Sequence, residues 1–128
     1  KKYGYIKTFP PYNRRRWFPT WYPRIYQDKS QAFELGSIER ASKNTPIQGA
    51  SADMTKKAMI LIREYIKENN VPVKIVMTVH DQVDTICENS YAEKWVTKLT
   101  ELMEQAALEV VTNGLLKADT NISKSWEK

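Results

Sequence analysis

Apolar residues recur with two different periods along this chain, and each change of period marks an element. Between 90 and 111, Trp95, Leu99, Leu102, Met103 and Ala106 follow helical spacing, which predicts an amphipathic helix. A second helix is expected from about 47 to 69. Met54, Ala58, Ile62 and Ile66 line one face, Met59 and Leu61 widen it, and Asn69, Asn70 and Pro72 end it. A third is expected over 30–44, with Ser30 as cap and Phe33, Leu35, Ile38 and Ala41 toward one side. It should stop near Asn44-Thr45-Pro46, because proline disfavours helical geometry in the residue before it. Residues 73–79 and 83–87 are β-prone runs separated by the polar tripeptide His80-Asp81-Gln82, the mark of a hairpin. Short strands are expected near 4–8 and 15–19, joined by a turn at Pro10-Pro11. The tail from Leu115 to Trp126 is expected to add an edge strand and a terminal anchor. Hairpins followed by helices, without repeating βαβ units, make the fold class α+β, with antiparallel hairpins packed against several helices. Residues 1–128 read as one segment. It divides into a basic aromatic hairpin region (1–30), helices (30–69), a second hairpin (73–87), and a terminal helix and tail (90–128).

Charge divides the chain in two. Residues 1–60 carry 12 Lys and Arg against 4 Asp and Glu, whereas residues 61–128 carry 8 against 11. A polyanionic partner therefore fits the first half, and so does plain solubility charge. With 41% hydrophobic and 27% charged residues, the chain is not a disordered polyelectrolyte. No apolar run approaches the 18 or so residues that a membrane helix needs, so no membrane partner is expected. Cys87 is the one cysteine and His80 the one histidine, which excludes an internal disulfide and a zinc site built from such residues. A reducing compartment fits, and Cys87 reads as a small core residue. The chain opens on Lys1 without an initiating Met, as expected of a split, processed or truncated protein.

The chemistry concentrates at two places. Asp81 stands on a tight turn between two β-prone runs, and rigid strands hold a side chain accurately enough to ligate a metal. Aspartate at a turn also bonds its own backbone, so a purely local role is equally in keeping with its position. In the first 30 residues, Arg14, Arg15 and Arg16 are interleaved with Trp17, Trp21 and Tyr22. Arginine binds phosphate and aromatic faces stack on bases, or else the rings form a core with arginines lying over it. Lys56 and Lys57 read as solvated helix surface. There is no Gly-rich phosphate loop, no GxSxG and no HExxH.

Several stretches, taken in order, resemble family A DNA polymerases of the bacterial DNA polymerase I type. Val79-His80-Asp81-Gln82 is similar to the Val-His-Asp-Glu signature of that family, called motif C. The run from Glu39 to Asp53 (Glu-Arg-Ala-Ser-Lys-Asn-Thr-Pro-Ile-Gln-Gly-Ala-Ser-Ala-Asp) resembles the family's Glu-Arg-Ala-x-x-Asn-x-Pro-x-Gln-Gly stretch in register throughout. Gly4-Tyr5-Ile6-Lys7-Thr8, with Arg14-Arg15-Arg16 and Pro19, resembles Gly-Tyr-x-x-Thr…Arg-Arg…Pro, and Ser125-Trp126 resembles a terminal Asn-Trp. The resemblance implies the palm-bearing C-terminal portion of such an enzyme. It implies Asp81 as a ligand of two catalytic Mg²⁺ ions and His80 as a residue near the primer terminus. Arg40, Asn44 and Gln48 would be minor-groove contacts to primer and template. Their i, i+4, i+8 spacing points them roughly one way, toward acceptors that every base pair shows in that groove. Primer-template DNA and a deoxynucleoside triphosphate are the implied partners, in a DNA-containing compartment, with a phage source open.

Two departures and one absence qualify that implication. Gln82 stands where the family usually has Glu, and Asp84 where an apolar residue is usual. Both are candidate metal-site residues, although on a strand they share a face that is not that of Asp81, and Asp84 reads equally as a solvated residue of an edge strand. The family's other metal-binding Asp, in an Asp-Tyr-x-x-[Ile/Leu]-Glu pattern, has no match in this sequence. Two-metal chemistry needs both carboxylates, so the chain is expected to be inactive without an upstream polymerase portion. The alternatives are a catalytically dead DNA-binding remnant and a protein-interaction domain.

Overall fold

A computed structural model of the chain describes residues 4–125. The expected terminal anchor, Trp126, lies outside them. The elements in chain order are β1 (Tyr5–Lys7), β2 (Arg15–Trp17), α1 (Ala32–Asn69), β3 (Val73–Val79), β4 (Gln82–Cys87) and α2 (Ala92–Leu108). β1 pairs antiparallel with β2, and β3 antiparallel with β4, in two separate two-stranded sheets. The α+β expectation is met. Packing divides the chain into two units, one ending at Ser51 and one starting at Ala52.

The first unit is built on a close approach. Thr8, just past β1, is buried, and its backbone N–H donates to the Arg14 carbonyl at 2.9 Å while its Oγ1 accepts from the Arg14 N–H at 2.9 Å. Those two bonds close the β1–β2 hairpin. Thr8 also lies against α1 at Gly49, where a Cβ would come within 2.5 Å of the Thr8 methyl carbon. Glycine is thus required at 49 for space, although it costs helix stability. Phe18 and Trp21 line a small cavity of about 50 Å³ together with Tyr5 and Ile38, and Ile38 and Ile25 are buried.

The expected break at Pro46 is absent: α1 runs 38 residues with Pro46 inside it. Proline in a helix interior costs about 3 kcal/mol, through the lost donor and the clash with the carbonyl four residues back. Packing within the unit offsets this, with Ile38 and Ala50 buried on either side of Pro46. Thr45 helps, since its hydroxyl donates to the Ala41 carbonyl at 2.7 Å and accepts from Arg16 Nη1 at 2.9 Å. Ser30 is not the cap. A single 3₁₀ turn, Lys29–Gln31, precedes α1, and Asp28 caps that turn by accepting from the Ser30 N–H at 3.0 Å. Hydrogen bonds from the Ser30 hydroxyl and then from Tyr22 hold the Asp28 carboxyl below the ordinary range, and the same Asp28 contact raises the Tyr22 phenol. Phe33, expected on the apolar side with Ile38, is 85% exposed.

The second unit is a helix-backed hairpin. Ile62 of α1, Val73 of β3, Val83 of β4 and Trp95, Leu99 and Leu102 of α2 form one buried cluster. Trp95 is 2% exposed, and its indole N–H donates to Thr85 Oγ1 of β4 at 2.8 Å, so the largest core side chain also satisfies its polar atom. Asn70, with φ +47°, terminates α1 in the left-handed conformation that asparagine tolerates. Cys87 is half-buried against the cluster, as expected. Lys57 pairs with Glu109 at 2.9 Å instead of standing free in solvent.

Register in the β3–β4 hairpin shifts between Ile75 and Met77, making Val76 a bulge. Before it, Val73 and Ile75 pair with Cys87 and Thr85 on the core face. After it, Thr78 pairs with Val83, and Met77 and Val79 turn to the other face with Asp84 and Gln82. The expected edge strand after Leu115 does not form: 115–125 has no regular structure. Gly114, with φ +68°, redirects the chain. Glu104 then accepts from Lys117 Nζ at 3.2 Å and from the Ala118 N–H at 3.4 Å, and Thr100 bonds Thr120 at 2.7 Å. The tail is pinned to side chains of α2, which leaves no partner strand for it.

Two stability changes should follow. Gly49→Ala should lower Tm, because overpacking costs about 1–3 kcal/mol, more than the ~1 kcal/mol gained in helix propensity. Adding Thr8→Ser, which removes the obstructing methyl and keeps the hydroxyl, should recover most of the loss in calorimetry. Thr85→Val should destabilise by about 1–3 kcal/mol by leaving the buried Trp95 N–H without an acceptor, whereas Thr85→Ser should be near neutral in denaturant unfolding.

Candidate active site

The turn between β3 and β4 has two residues, His80 and Asp81, with Gln82 already the first residue of β4. The expected tripeptide loop is therefore one residue shorter. His80 has φ +55°. Tight hairpins demand a left-handed residue at this point, and histidine takes that conformation more readily than most side chains. The turn is thereby fixed by backbone geometry instead of glycine, and both His80 and Asp81 are exposed at its tip. Behind them, Val83 and Thr85 tie β4 to the buried cluster and to Trp95.

Gln82 and Asp84 share the face opposite the core. Gln82 Nε2 donates to Asp84 Oδ1 at 2.7 Å, and Asp84 Oδ2 is buried with no hydrogen-bond partner. Met77 and Val79, across the hairpin on the same face, are 39% and 38% exposed, and Ile86 is 63% exposed. Among the described residues no three His, Cys, Asp or Glu side chains gather as a metal-ligand set. Asp81 fits as one carboxylate ligand of a hard cation, with the Gln82 amide oxygen as a neutral neighbour.

In the first unit, Arg40, Asn44 and Gln48 are all exposed on α1, which runs unbroken through Pro46. Their four-residue spacing in a continuous helix places them along one side. The Arg40 guanidinium lies over Gly36, at 3.6 Å from where a Cβ would stand.

The three consecutive arginines do not form one patch. The register pairs Ile6 with Arg16 and Lys7 with Arg15, so alternation sends Arg15 and Arg16 to opposite faces. Arg16 donates to Thr45 of α1, next to Asn44, and also sits 5.8 Å from the Phe18 ring centre. Arg15 stands 5.0 Å over Tyr5, whose ring meets Trp17 at 4.6 Å between centroids. Arg14 lies 5.9 Å from the Tyr12 ring, and Trp17 is 58% exposed. Arginines here lie over rings, and the outer face presents cation and π surface to solvent. Sequence reasoning missed the meeting of Thr8 with Gly49. The signal was present, because both residues lie in the quoted motifs, but nothing in spacing alone links them.

Comparison with known proteins places this geometry. The model of the family described as DNA polymerase family A matches residues 1–128. DNA polymerase I of Bacillus caldotenax is 33% identical over 126 residues, and that of Bacillus subtilis (strain 168) is 35% identical over 127 residues. Each match covers 98% of this chain and 13% of the relative, so the chain spans about an eighth of the length of these curated proteins. The DNA polymerase of Bacillus phage SP01 is 35% identical over 77 residues, covering 60% of this chain and 8% of that protein. Among solved structures, the POL domain of Pol1 from M. smegmatis, in complex with DNA primer-template and dNTP, superposes with a TM-score of 0.66. It is 31% identical and covers 80% of this chain and 17% of that one. A family match over the whole sequence, with relatives a third identical across nearly all of it, means that this chain belongs to DNA polymerase family A.

Proposed function

We propose that this chain supplies the metal-binding turn and the minor-groove face of a template-directed DNA polymerase. The observation that carries the reading is the exposed Asp81 at a two-residue turn, held by a left-handed His80 and backed by a strand anchored in the core. A rigid carboxylate is what nucleotidyl transfer needs at a cation. In the reaction, a primer 3′-hydroxyl attacks the α-phosphate of a deoxynucleoside triphosphate. Asp81 would hold the catalytic cations, Mg²⁺ being the hard divalent ion that suits carboxylate and phosphate oxygens. When bound, such ions activate the hydroxyl and neutralise charge on the phosphate. His80, adjacent at the tip, would contact the primer terminus. A second carboxylate would come from a polymerase portion outside these residues. Family membership supports the reading, as does the M. smegmatis neighbour, which holds DNA primer-template and dNTP.

Arg40, Asn44 and Gln48 would lie along the minor groove, where donors reach acceptors common to all base pairs and test pair geometry without reading sequence. Arg14 and Arg15 would add phosphate contacts or base stacking. Arg16, tied to Thr45, would serve more to fix the hairpin against α1 than to grip DNA. The setting is a DNA-containing compartment. No helix among the described residues is long and apolar enough to cross a membrane.

Primer extension tests the reading. The chain alone should show no Mg²⁺-dependent extension, and addition of the upstream polymerase portion should produce it. Asp81→Ala should then reduce the rate by at least about 10³-fold, the scale of losing a principal catalytic group. DNA binding without extension in the mixture would instead mark a catalytically dead remnant. Arg40→Ala and Gln48→Ala should weaken primer-template binding about equally across sequences, each by ~1–2 kcal/mol. In a salt series Arg15→Ala should lower the slope by about one ion, and Arg16→Ala should instead lower Tm.

A further inference from the structure

We propose that Asp84 is a positioning residue that locks the Gln82 amide with its oxygen turned outward beside Asp81. The neutral oxygen of the residue that follows Asp81 is then the end left free for a hard cation. The inference rests on the reading of Asp81 as a metal ligand.

Donors and acceptors fix the orientation of the Gln82 amide. An ionised carboxylate only accepts hydrogen bonds, whereas an amide side chain has a donor end and an acceptor end. Gln82 meets Asp84 through Nε2, at 2.7 Å, so Oε1 is the end left facing away. Oε1 accepts no hydrogen bond among the described residues. The bond is charge-assisted and short, so the amide is held in one of its two orientations. Strand alternation puts 82 and 84 on one face, and the Val76 bulge sets Val79 and Met77 opposite them. Gln82 is directly bonded in sequence to Asp81, at the mouth of the turn.

Asp84 otherwise has little reason to be where it is. Its Oδ2 is buried without a partner, and a half-satisfied buried carboxylate is costly. An apolar side chain facing Met77 would pack there at lower cost. Among the described residues, the one hydrogen bond of the Asp84 side chain is the one that orients Gln82. The pair also moves negative charge from the residue next to Asp81 to a residue three positions on. This spares the turn the repulsion of adjacent carboxylates and keeps an oxygen ligand in place.

Three substitutions test this, in primer extension by the chain together with the upstream polymerase portion. Asp84→Ala should lower kcat about 10-fold with little change in nucleotide KM, as expected when the partner orienting a ligand is lost. Gln82→Glu should also lower it, because two carboxylates would then face each other at hydrogen-bond distance. The double variant Gln82→Glu/Asp84→Ala should recover to within about threefold of the parent, since the glutamate no longer has a repelling neighbour. A purely structural Asp84 would give losses that multiply in the double variant, and that result overturns the proposal. A readout independent of catalysis is the Gln82 side-chain amide resonance in the chain itself. It should shift toward the free-glutamine position in Asp84→Ala, and an unmoved resonance also overturns the proposal. Retained extension in Asp81→Ala would bring down the metal-ligand reading and this inference with it. Loss in Asp81→Ala without rescue in the double variant would sink the positioning role alone.

Discussion

A methyl group resting where no Cβ fits governs the first half of this chain. Thr8 closes the β1–β2 hairpin with both its backbone and its hydroxyl, and its methyl occupies the space over Gly49. Several features of that unit accompany the contact. The hairpin lies on α1, Arg16 comes within reach of Thr45, and Arg15 and Trp17 face outward. It also bears on the proline, because α1 must stay helical through Pro46 to bring Gly49 under Thr8. The roughly 3 kcal/mol that a proline in the interior costs a helix is thus set against packing distributed over Ile38, Ala50 and Thr8.

The second unit works by a different economy. Its hairpin is short, and a two-stranded ribbon is marginal in water unless something covers one face. α2 and the latter part of α1 supply that cover through Trp95, Leu99, Leu102 and Ile62. The Trp95–Thr85 bond ties the helix to the strand that begins at the His80-Asp81 turn. The buried indole thus helps to hold the strand that leads away from Asp81. The open face, with Met77, Val79 and Ile86, carries the Gln82–Asp84 pair instead of a second helix.

Much of this was legible in the sequence. The helical period of Trp95, Leu99 and Leu102, the β-prone runs flanking His80-Asp81 and the stop at Asn69-Asn70 each reflect local chemistry that tertiary packing did not overrule. The family was legible from ordered motifs. What was not legible depended on contacts between distant residues. Pro46 signals a break locally and is overridden by packing. Ser30 has the right chemistry for a cap, but Asp28 sits two residues earlier and takes the role. The Val76 bulge reverses the alternation of β3 halfway along, so that Val79 leaves the face its parity assigns. The division of Arg14-Arg15-Arg16 between faces required the strand register, which composition does not contain. The orientation of Gln82 could not be read at all without the distance to Asp84.

The placement of the tryptophans gives the molecule an optical asymmetry. Trp95 is sealed beneath the β3–β4 hairpin beside Tyr65, whose ring centre lies 6.2 Å away, while Trp17 stands largely in solvent on the arginine-bearing hairpin. An indole emits to the blue in an apolar site and to the red in water. Of the four tryptophans, Trp95 therefore reports from an apolar site behind the β3–β4 turn, and Trp17 from the solvent side of the arginine-bearing hairpin.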